Sequence, residues 1–445
     1  MGNYFGTDGI RGIASTVLSP EKVLYIGQAI GRYALESSKS SECWIGIGKD
    51  TRLSGDTIEH ALIAGLLSMG VSVKSFGVLP TPGIARILRM EKCHLGVVIS
   101  ASHNPIEYNG LKVFAGQGIK LTDEQEARIE YWIEKAKLGL PMSKHPGTHI
   151  IFNNAPTDYT QSILKQYPGL RLDGLKLAVD CAYGATYFTT PHVLEQLGAN
   201  VLALCNTPDG ARINVDCGST YPDFVEEAST QHSFSYDLAF SHDGDGDRVL
   251  ARYRGKLLDG DHMLALTALY RKEKARLHPP TIVGTVMTNS GIEQFLNKTQ
   301  IHMHRSPVGD RYVLEDMLRL KAPIGGEQSG HLIYLDKGYT GDGLISILET
   351  LQAVIPDALG KLDEVQEIPL LSQVLLNVKV KDKQTVLQSK RFSSELEKVQ
   401  NDNPQVRLVV RPSGTEPLFR ILTEAPDPAL AKQLAQHLAD LAVSL

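Results

Sequence analysis

Three carboxylates stand at alternate positions in the run His242-Asp243-Gly244-Asp245-Gly246-Asp247-Arg248, directly after the apolar stretch Leu238-Ala239-Phe240. Two like charges about 4 Å apart repel by roughly 4 kcal/mol at an effective dielectric of about 20, so the run favours a cation among its aspartates. An all-oxygen ligand set selects a hard ion, Mg²⁺ or Ca²⁺. The calcium EF-hand loop is excluded: its sixth position needs glycine and its twelfth glutamate, and counting from Asp243 these are Arg248 and Arg254. Mg²⁺ is favoured if phosphate is the co-ligand. An acidic loop after a strand also points to an open α/β layer, where ligands bind at the carboxyl ends of strands.

The rest of the chain carries that rhythm. A helix is predicted after Pro20, strands at 43–47, 71–76 and 95–99, and Asp56 with Glu59 reads as a capping box before the core-facing stripe Ile58, Leu62, Ile63, Leu66 and Leu67. Strand, loop and amphipathic helix recur with strands at 175–179, 201–204, 238–240 and 281–286, which gives three α/β units in series. The last stretch differs, with strands at 374–380, 406–410 and 418–422, a helix at 385–399 and a closing helix striped by Leu430, Leu434, Leu438, Leu441 and Leu445. Boundaries are expected in the Gly/Pro/Lys-rich 138–147, near Gly255 and in the polar connector 361–367, so the domains are 1–147, 148–254, 255–366 and 367–445.

Three further loops carry chemistry. Ser100-Ala101-Ser102-His103-Asn104-Pro105 follows Val97-Val98-Ile99 and offers an exposed serine as nucleophile or phosphate carrier; no Gly-x-Ser-x-Gly elbow surrounds it. Gly325-Gly326-Glu327-Gln328-Ser329-Gly330-His331 lies between two apolar runs, where Glu327 and Ser329 suit sugar hydroxyls or, equally, the sequence is a hairpin turn. Arg411-Pro412-Ser413-Gly414-Thr415-Glu416-Pro417, with Arg420 beyond it, makes an anion cradle of two guanidinium groups, hydroxyls and backbone N–H groups. Two weaker pieces, 6–12 with Arg11 and Lys49-Asp50-Thr51-Arg52, read equally as surface turns.

The 445 residues carry 45 Lys plus Arg against 50 Asp plus Glu, a balance that argues against nucleic acid or anionic membrane as partner. No signal peptide, myristoylation signal or membrane-spanning run is read, and five cysteines without a Cys-x-x-Cys pair give neither a disulfide frame nor a zinc cage. A cytoplasmic protein is the simplest expectation.

In order and spacing the four loops resemble the α-D-phosphohexomutase superfamily from Gly6 to Arg420, and within it the bacterial phosphoglucosamine mutases at 4–12, 48–52, 213–220, 309–313 and 326–331. Tyr221-Pro222 departs from that pattern, where His-Pro is usual. The resemblance implies an α/β fold: three related α/β domains with mixed sheets and a smaller C-terminal α+β domain around a central cleft. It implies a phosphoserine at Ser102 that gives its phosphoryl group to glucosamine 6-phosphate, a glucosamine 1,6-bisphosphate that reorients, and release of glucosamine 1-phosphate for UDP-N-acetylglucosamine synthesis. One Mg²⁺ per chain is then held by Asp243, Asp245, Asp247 and the Ser102 phosphate, with Arg11, Arg248 and Lys112 neutralising the transferring group. Arg411, Ser413, Gly414, Thr415 and Arg420 clamp the distal phosphate, and Glu327, Ser329 and His331 bind substrate. His103, Lys112 and His331 stay open as acid or base. The expected partner is a small hexosamine phosphate, and the chain a monomer or homodimer. A phosphomannomutase or phosphoglucomutase, a Mg²⁺ phosphohydrolase and a silent sugar-phosphate sensor are the alternatives.

Overall fold

The computed structural model describes residues 4–6, 8–38, 42–355, 359–412 and 418–445. Three mixed sheets follow one another along the chain, and each repeats one device: parallel strands connected through helices, then a turn back into an antiparallel partner. In the first sheet Leu95–Ile99 runs parallel to Trp44–Lys49 and pairs antiparallel with Tyr108–Ala115. In the second, Leu238–His242 lies parallel to Lys176–Asp180 and antiparallel to Val249–Tyr253. In the third, Ile324–Gly326 lies parallel to Thr281–Thr285 and antiparallel to Leu332–Tyr334. The fourth unit is a three-stranded antiparallel sheet of Ser372–Lys379, Leu418–Ala425 and Arg407–Pro412. The expected boundary at 147 falls just before His149–Ile151, a strand that pairs with Ser72–Val78 in the first sheet.

The apolar patterns explain the layers. Pro20–Ser37 buries Val23, Ile26, Ile30 and Ala34, one stripe at helical spacing, against Gly55–Ser68, which buries Ile58, Leu62 and Leu66. On the C-terminal helix Leu434 and Leu438 are buried, and Ala431, Ala435, Ala439 and Ala442 complete the face, small enough for the helix to lie close on its sheet.

Three local expectations are corrected. Asp56 and Glu59 cap nothing: the helix is entered at Ser54 without a side-chain cap, and both carboxylates bind Lys49 instead. The stretch 361–367 is no extended connector, because Gly360–Gln366 is a helix whose Leu362 and Val365 are fully buried. The helix expected at 385–399 is two, Lys383–Gln388 and Lys390–Asp402, divided where the Ser389 side chain accepts from Phe392 N–H and caps the second. The five cysteines are free thiols, and no helix among the described residues is long and apolar enough to cross a membrane.

The second and third units share one core, with a buried ionic cluster inside it. Arg271 donates to Glu349 at 2.8 Å, and Glu349 accepts from the Tyr167 hydroxyl at 2.9 Å. Truncating one partner strands a buried charge, so Arg271→Met is expected to cost about 3–5 kcal/mol in urea unfolding. A loss under about 1 kcal/mol would mean that water reaches Glu349.

Candidate active site

The four chemical loops are the four turn-backs. Each leaves the carboxyl end of a sheet strand and returns antiparallel, so the topology aims Ser102, the aspartates and Glu327 from three sheets toward one place.

Ser102 is buried and sits at φ 52°, a left-handed conformation that a serine adopts only under constraint. The constraint is visible. Its N–H donates to Ser100 Oγ at 2.9 Å, and its carbonyl accepts from Arg52 at 2.9 Å and from Asn214 Nδ2 at 3.0 Å. Arg52 also donates to the carbonyls of Asn104, Pro105 and Tyr108, while its Nε meets the buried Asp50 carboxylate at 3.0 Å. The segment Lys49-Asp50-Thr51-Arg52 is therefore the strut of the serine loop. Its role depends on carbonyls some fifty residues away, which no local pattern reveals; its place at the end of Trp44–Lys49 was the available signal.

The Ser102 hydroxyl donates to Asp243 Oδ2 at 2.6 Å, and Asp243, Asp245 and Asp247 bring one oxygen each within 4.8 Å of one another, all buried. Gly246 reaches φ 68°, and a Cβ there would lie 2.3 Å from the Thr186 methyl. The first sheet's unit reaches across to hold this loop: Thr81 N–H donates to the Asp245 carbonyl at 2.9 Å and its hydroxyl to Asp245 Oδ2 at 2.6 Å. Burial and the neighbouring Asp247 and Asp245 charges push the Asp243 carboxyl well up. Burial acts the same way on Asp247, but Lys112, His331 and Arg248 prevail and hold it well below the usual carboxylate range. Asp245 Oδ1 and Asp247 Oδ1 are buried and accept no hydrogen bond, as is Arg248 Nε among the donors. Asp247 Oδ1 has only ion-pair contacts, with His331 Nδ1 at 3.7 Å and Arg248 Nε at 3.8 Å, so the two carboxylate oxygens keep room for a hard cation and the guanidinium for an anionic oxygen.

Lys112 is fully buried, with Asp245 at 2.8 Å, Asp247 at 3.3 Å and Asp8 at 3.5 Å. Burial opposes its charge, yet Asp245, Asp8 and Asp247 raise its pKa, so it stands as a fixed cation. Arg11 donates to Asn104 Oδ1 at 3.2 Å and pairs with Asp8. Lys120, which the sequence did not single out, joins Asp8 to Asp310, 2.5 Å away in the third unit. His103 is exposed, its Nδ1 3.4 Å from Ser102 Oγ. His331 is buried between Asp247 (3.7 Å) and Asp310 (3.6 Å), and its Nε2 accepts from Gly341 N–H at 3.0 Å.

The Glu327 loop is a hairpin, and a tight one. Gly330, at φ 89°, would place a Cβ 2.1 Å from the Val249 carbonyl, which seats the loop directly on the strand leaving the aspartates. Glu327 Oε1 accepts from Gly309 N–H at 3.0 Å, and Ser329 is exposed. Arg411 and Arg420 are directly opposed across their antiparallel pair. Like charges so placed destabilise a sheet unless an anion lies between them. Burial and then Arg420 lower the Arg411 pKa, with Glu327 acting against them. Ser413, Gly414 and Thr415 lie outside the described residues.

Three α/β units and a smaller fourth, carrying a buried serine, an acidic triad and an arginine pair on their turn-backs, point to a phosphosugar-handling enzyme, and comparisons place the chain in a family of them. Models of phosphoglucomutase/phosphomannomutase alpha/beta/alpha domains I, II and III match residues 2–139, 157–255 and 259–369, and the C-terminal domain model matches 375–441. Phosphoglucosamine mutase of Carboxydothermus hydrogenoformans is 42% identical over 98% of this chain and 98% of its own length. That of Thermosipho africanus is 43% identical over 98% of this chain and 97% of its own. Among solved structures, a phosphoglucomutase/phosphomannomutase family protein from Burkholderia thailandensis superposes with TM-score 0.79 at 21% identity, covering 98% of this chain and 96% of that one. Aspergillus fumigatus N-acetylphosphoglucosamine mutase in complex with GlcNAc-6P and magnesium gives TM-score 0.66 at 16% identity, covering 100% and 96%. The chain belongs to the phosphoglucomutase/phosphomannomutase family and is a phosphohexomutase, an isomerase of hexose phosphates.

Proposed function

We propose that the chain interconverts glucosamine 6-phosphate and glucosamine 1-phosphate through a phosphoserine at Ser102 and a glucosamine 1,6-bisphosphate. The observation that carries this reading is the buried Ser102 hydroxyl, 2.6 Å from an aspartate whose two companions each keep a carboxylate oxygen without a hydrogen bond. The relatives that share more than two-fifths of their residues with this chain over nearly its whole length are named for the same amino sugar.

Ser102 gives its phosphoryl group to the substrate hydroxyl and takes back the other phosphate after the bisphosphate has turned. Asp243, Asp245 and Asp247 fit one Mg²⁺ per chain, which when bound neutralises charge on the transferring phosphoryl group. Arg248 and Lys112 are fixed cations beside it, and Arg11 sits at the mouth of the serine loop. Glu327, Ser329 and His331 face the sugar; Arg411 and Arg420, with 413–415, hold the phosphate that is not reacting. The fourth unit then closes on the cleft and reopens it. Release of the product into amino-sugar nucleotide synthesis in the cytoplasm completes the reading.

Turnover of glucosamine, glucose and mannose 6-phosphates side by side tests it. A preference for glucosamine 6-phosphate of about 10²-fold or more in kcat/KM supports the assignment, a preference for either other sugar moves it to a phosphoglucomutase or phosphomannomutase, and net release of inorganic phosphate makes the enzyme a hydrolase. In the same assay Arg420→Ala is expected to raise KM by about tenfold or more and to increase dependence on added glucosamine 1,6-bisphosphate, because the arginine holds ground state, intermediate and transition state alike. An unchanged KM would make the arginine pair a structural feature of the hairpin.

A further inference from the structure

Cys205 and Cys217 stand twelve positions apart in the sequence, and the fold brings them together: their sulfurs and an Asp180 oxygen lie within 4.8 Å of one another. A metal is a poor fit for this trio. Both Asp180 oxygens already accept backbone N–H groups, from Ala182 at 2.9 Å and Gly218 at 2.5 Å, and two thiols alone fall short of a tetrahedral cage. What remains is a buried dithiol whose members differ in access: Cys217 is 1% exposed and Cys205 half-buried.

The chain between them has a consequence for the active site. Cys205, Asn214 and Asp216 all sit at positive φ, so the segment is constrained along its length. Asn214 lies in it, with its N–H on the Ala182 carbonyl at 3.1 Å and its amide on the Ser102 carbonyl at 3.0 Å. Both ends are pinned: the Cys205 carbonyl accepts from Tyr183 N–H at 2.9 Å, and Gly218, directly after Cys217, is held by Asp180. Drawing the two sulfurs to bonding distance, about 2.0 Å, tightens a loop whose Asn214 holds the Ser102 carbonyl, and so loads that contact.

We propose that Cys205 and Cys217 are a reversible disulfide-forming pair, and that closing it unseats the serine loop. The oxidant is a low-molecular-weight disulfide. The Cys205 sulfur, the accessible one, gives up its proton and attacks that disulfide, releasing one thiolate that takes a proton. The Cys217 sulfur then loses its proton and attacks Cys205, releasing the second thiol. Two protein thiols are oxidised by two electrons and one small disulfide is reduced to two thiols. The contact with Cys205, then burial and the neighbouring Asp180 charge, push the Cys217 thiol up, in keeping with a residue that resolves a mixed disulfide within the molecule and does not meet the oxidant first.

The test treats the reduced, folded enzyme with glutathione disulfide in the presence of a chelator, then exchanges it into buffer with excess Mg²⁺, and follows intact mass, peptide maps and turnover against an untreated enzyme carried through the same exchange. The expected result is a protein about 2 Da lighter with a 205–217 cross-linked peptide, turnover reduced by at least about tenfold, and recovery of both on adding dithiothreitol. Cys205→Ser should keep basal turnover and resist the oxidant; Cys217→Ser should stop at a glutathione adduct on Cys205. If Cys217→Ser does not fold, the wild-type map and Cys205→Ser still decide. Absence of the cross-link in the folded enzyme, or equal inactivation of Cys205→Ser, overturns the pair. The effect on turnover rests on the role proposed for Ser102, whereas the bond does not. A cross-link that leaves turnover unchanged therefore overturns the coupling to the serine loop, and the substrate assays of untreated enzyme judge the mutase reading separately.

Discussion

Ser102→Ala is expected to lower mutase turnover by about 10⁴-fold or more, some 5 kcal/mol of transition-state stabilisation, while leaving the thermal melt near that of the wild type. The hydroxyl is the group that carries the phosphoryl, so no neighbour replaces it: His103 touches it only at 3.4 Å, and the carboxylate it bonds belongs to the acidic triad. Stability should be spared because the loop is held through backbone groups. Arg52 grips carbonyls, and the Ser102 N–H and C=O keep their partners whatever the side chain. Ser102→Thr makes a sharper control. It keeps a hydroxyl but puts a β-branched residue at φ 52°, where branching is strained, and it should recover little activity. The wild type should carry phosphate on Ser102 in part, seen by peptide mass. Turnover of Ser102→Ala within about tenfold of the wild type would end the phosphoserine mechanism.

Chelation should be nearly as damaging. Removing divalent metal with EDTA is expected to cut the rate by about 10²-fold or more and added Mg²⁺ to restore it, since charge neutralisation at a phosphoryl group is worth several kcal/mol. Asp245→Asn should raise the Mg²⁺ needed for half-maximal rate by about tenfold or more. Asparagine still accepts from Thr81, so the loop keeps its anchor and the loss reports the missing ligand charge and not a displaced backbone. A rate indifferent to EDTA would leave Lys112 and Arg248 as the charge that serves the reaction, and the two orphaned aspartate oxygens without an explanation.

How much of this was legible in the sequence follows from the range of each interaction. The aspartates, Ser102 and Glu327 were legible because each lies in a loop that directly follows an apolar strand, and strand ends are where such sheets bind ligands. The alternation of strand and helix gave the three α/β units for the same local reason. Thr81 and Lys120 were not singled out, and Asp8, Arg52 and Asp310 stood only inside stretches that gave them no role. Their meaning lies in partners far along the chain, as with Thr81 and Asp245, 164 positions apart. Asp56 and Glu59 misled in the opposite direction: the spacing imitates a cap, but Lys49 across the turn offers both carboxylates a charge, a stronger partner than a backbone N–H. The break at Ser389 is invisible to hydrophobic period, because the stripe continues through Val386, Phe392 and Val399 on either side of it.

The four turn-backs bear on how such a chain tolerates change. Each active loop is spliced between two strands hydrogen-bonded to each other, so an added or deleted residue has to be absorbed within the turn or it shifts a strand register and turns its side chains to the wrong face. A change of length in these loops therefore bears on the sheets as well as on the site. Freedom for insertion lies elsewhere, in exposed connections such as 138–147, between the helix Asp123–Lys137 and the strand His149–Ile151, where an added tag or domain should leave all four loops in place.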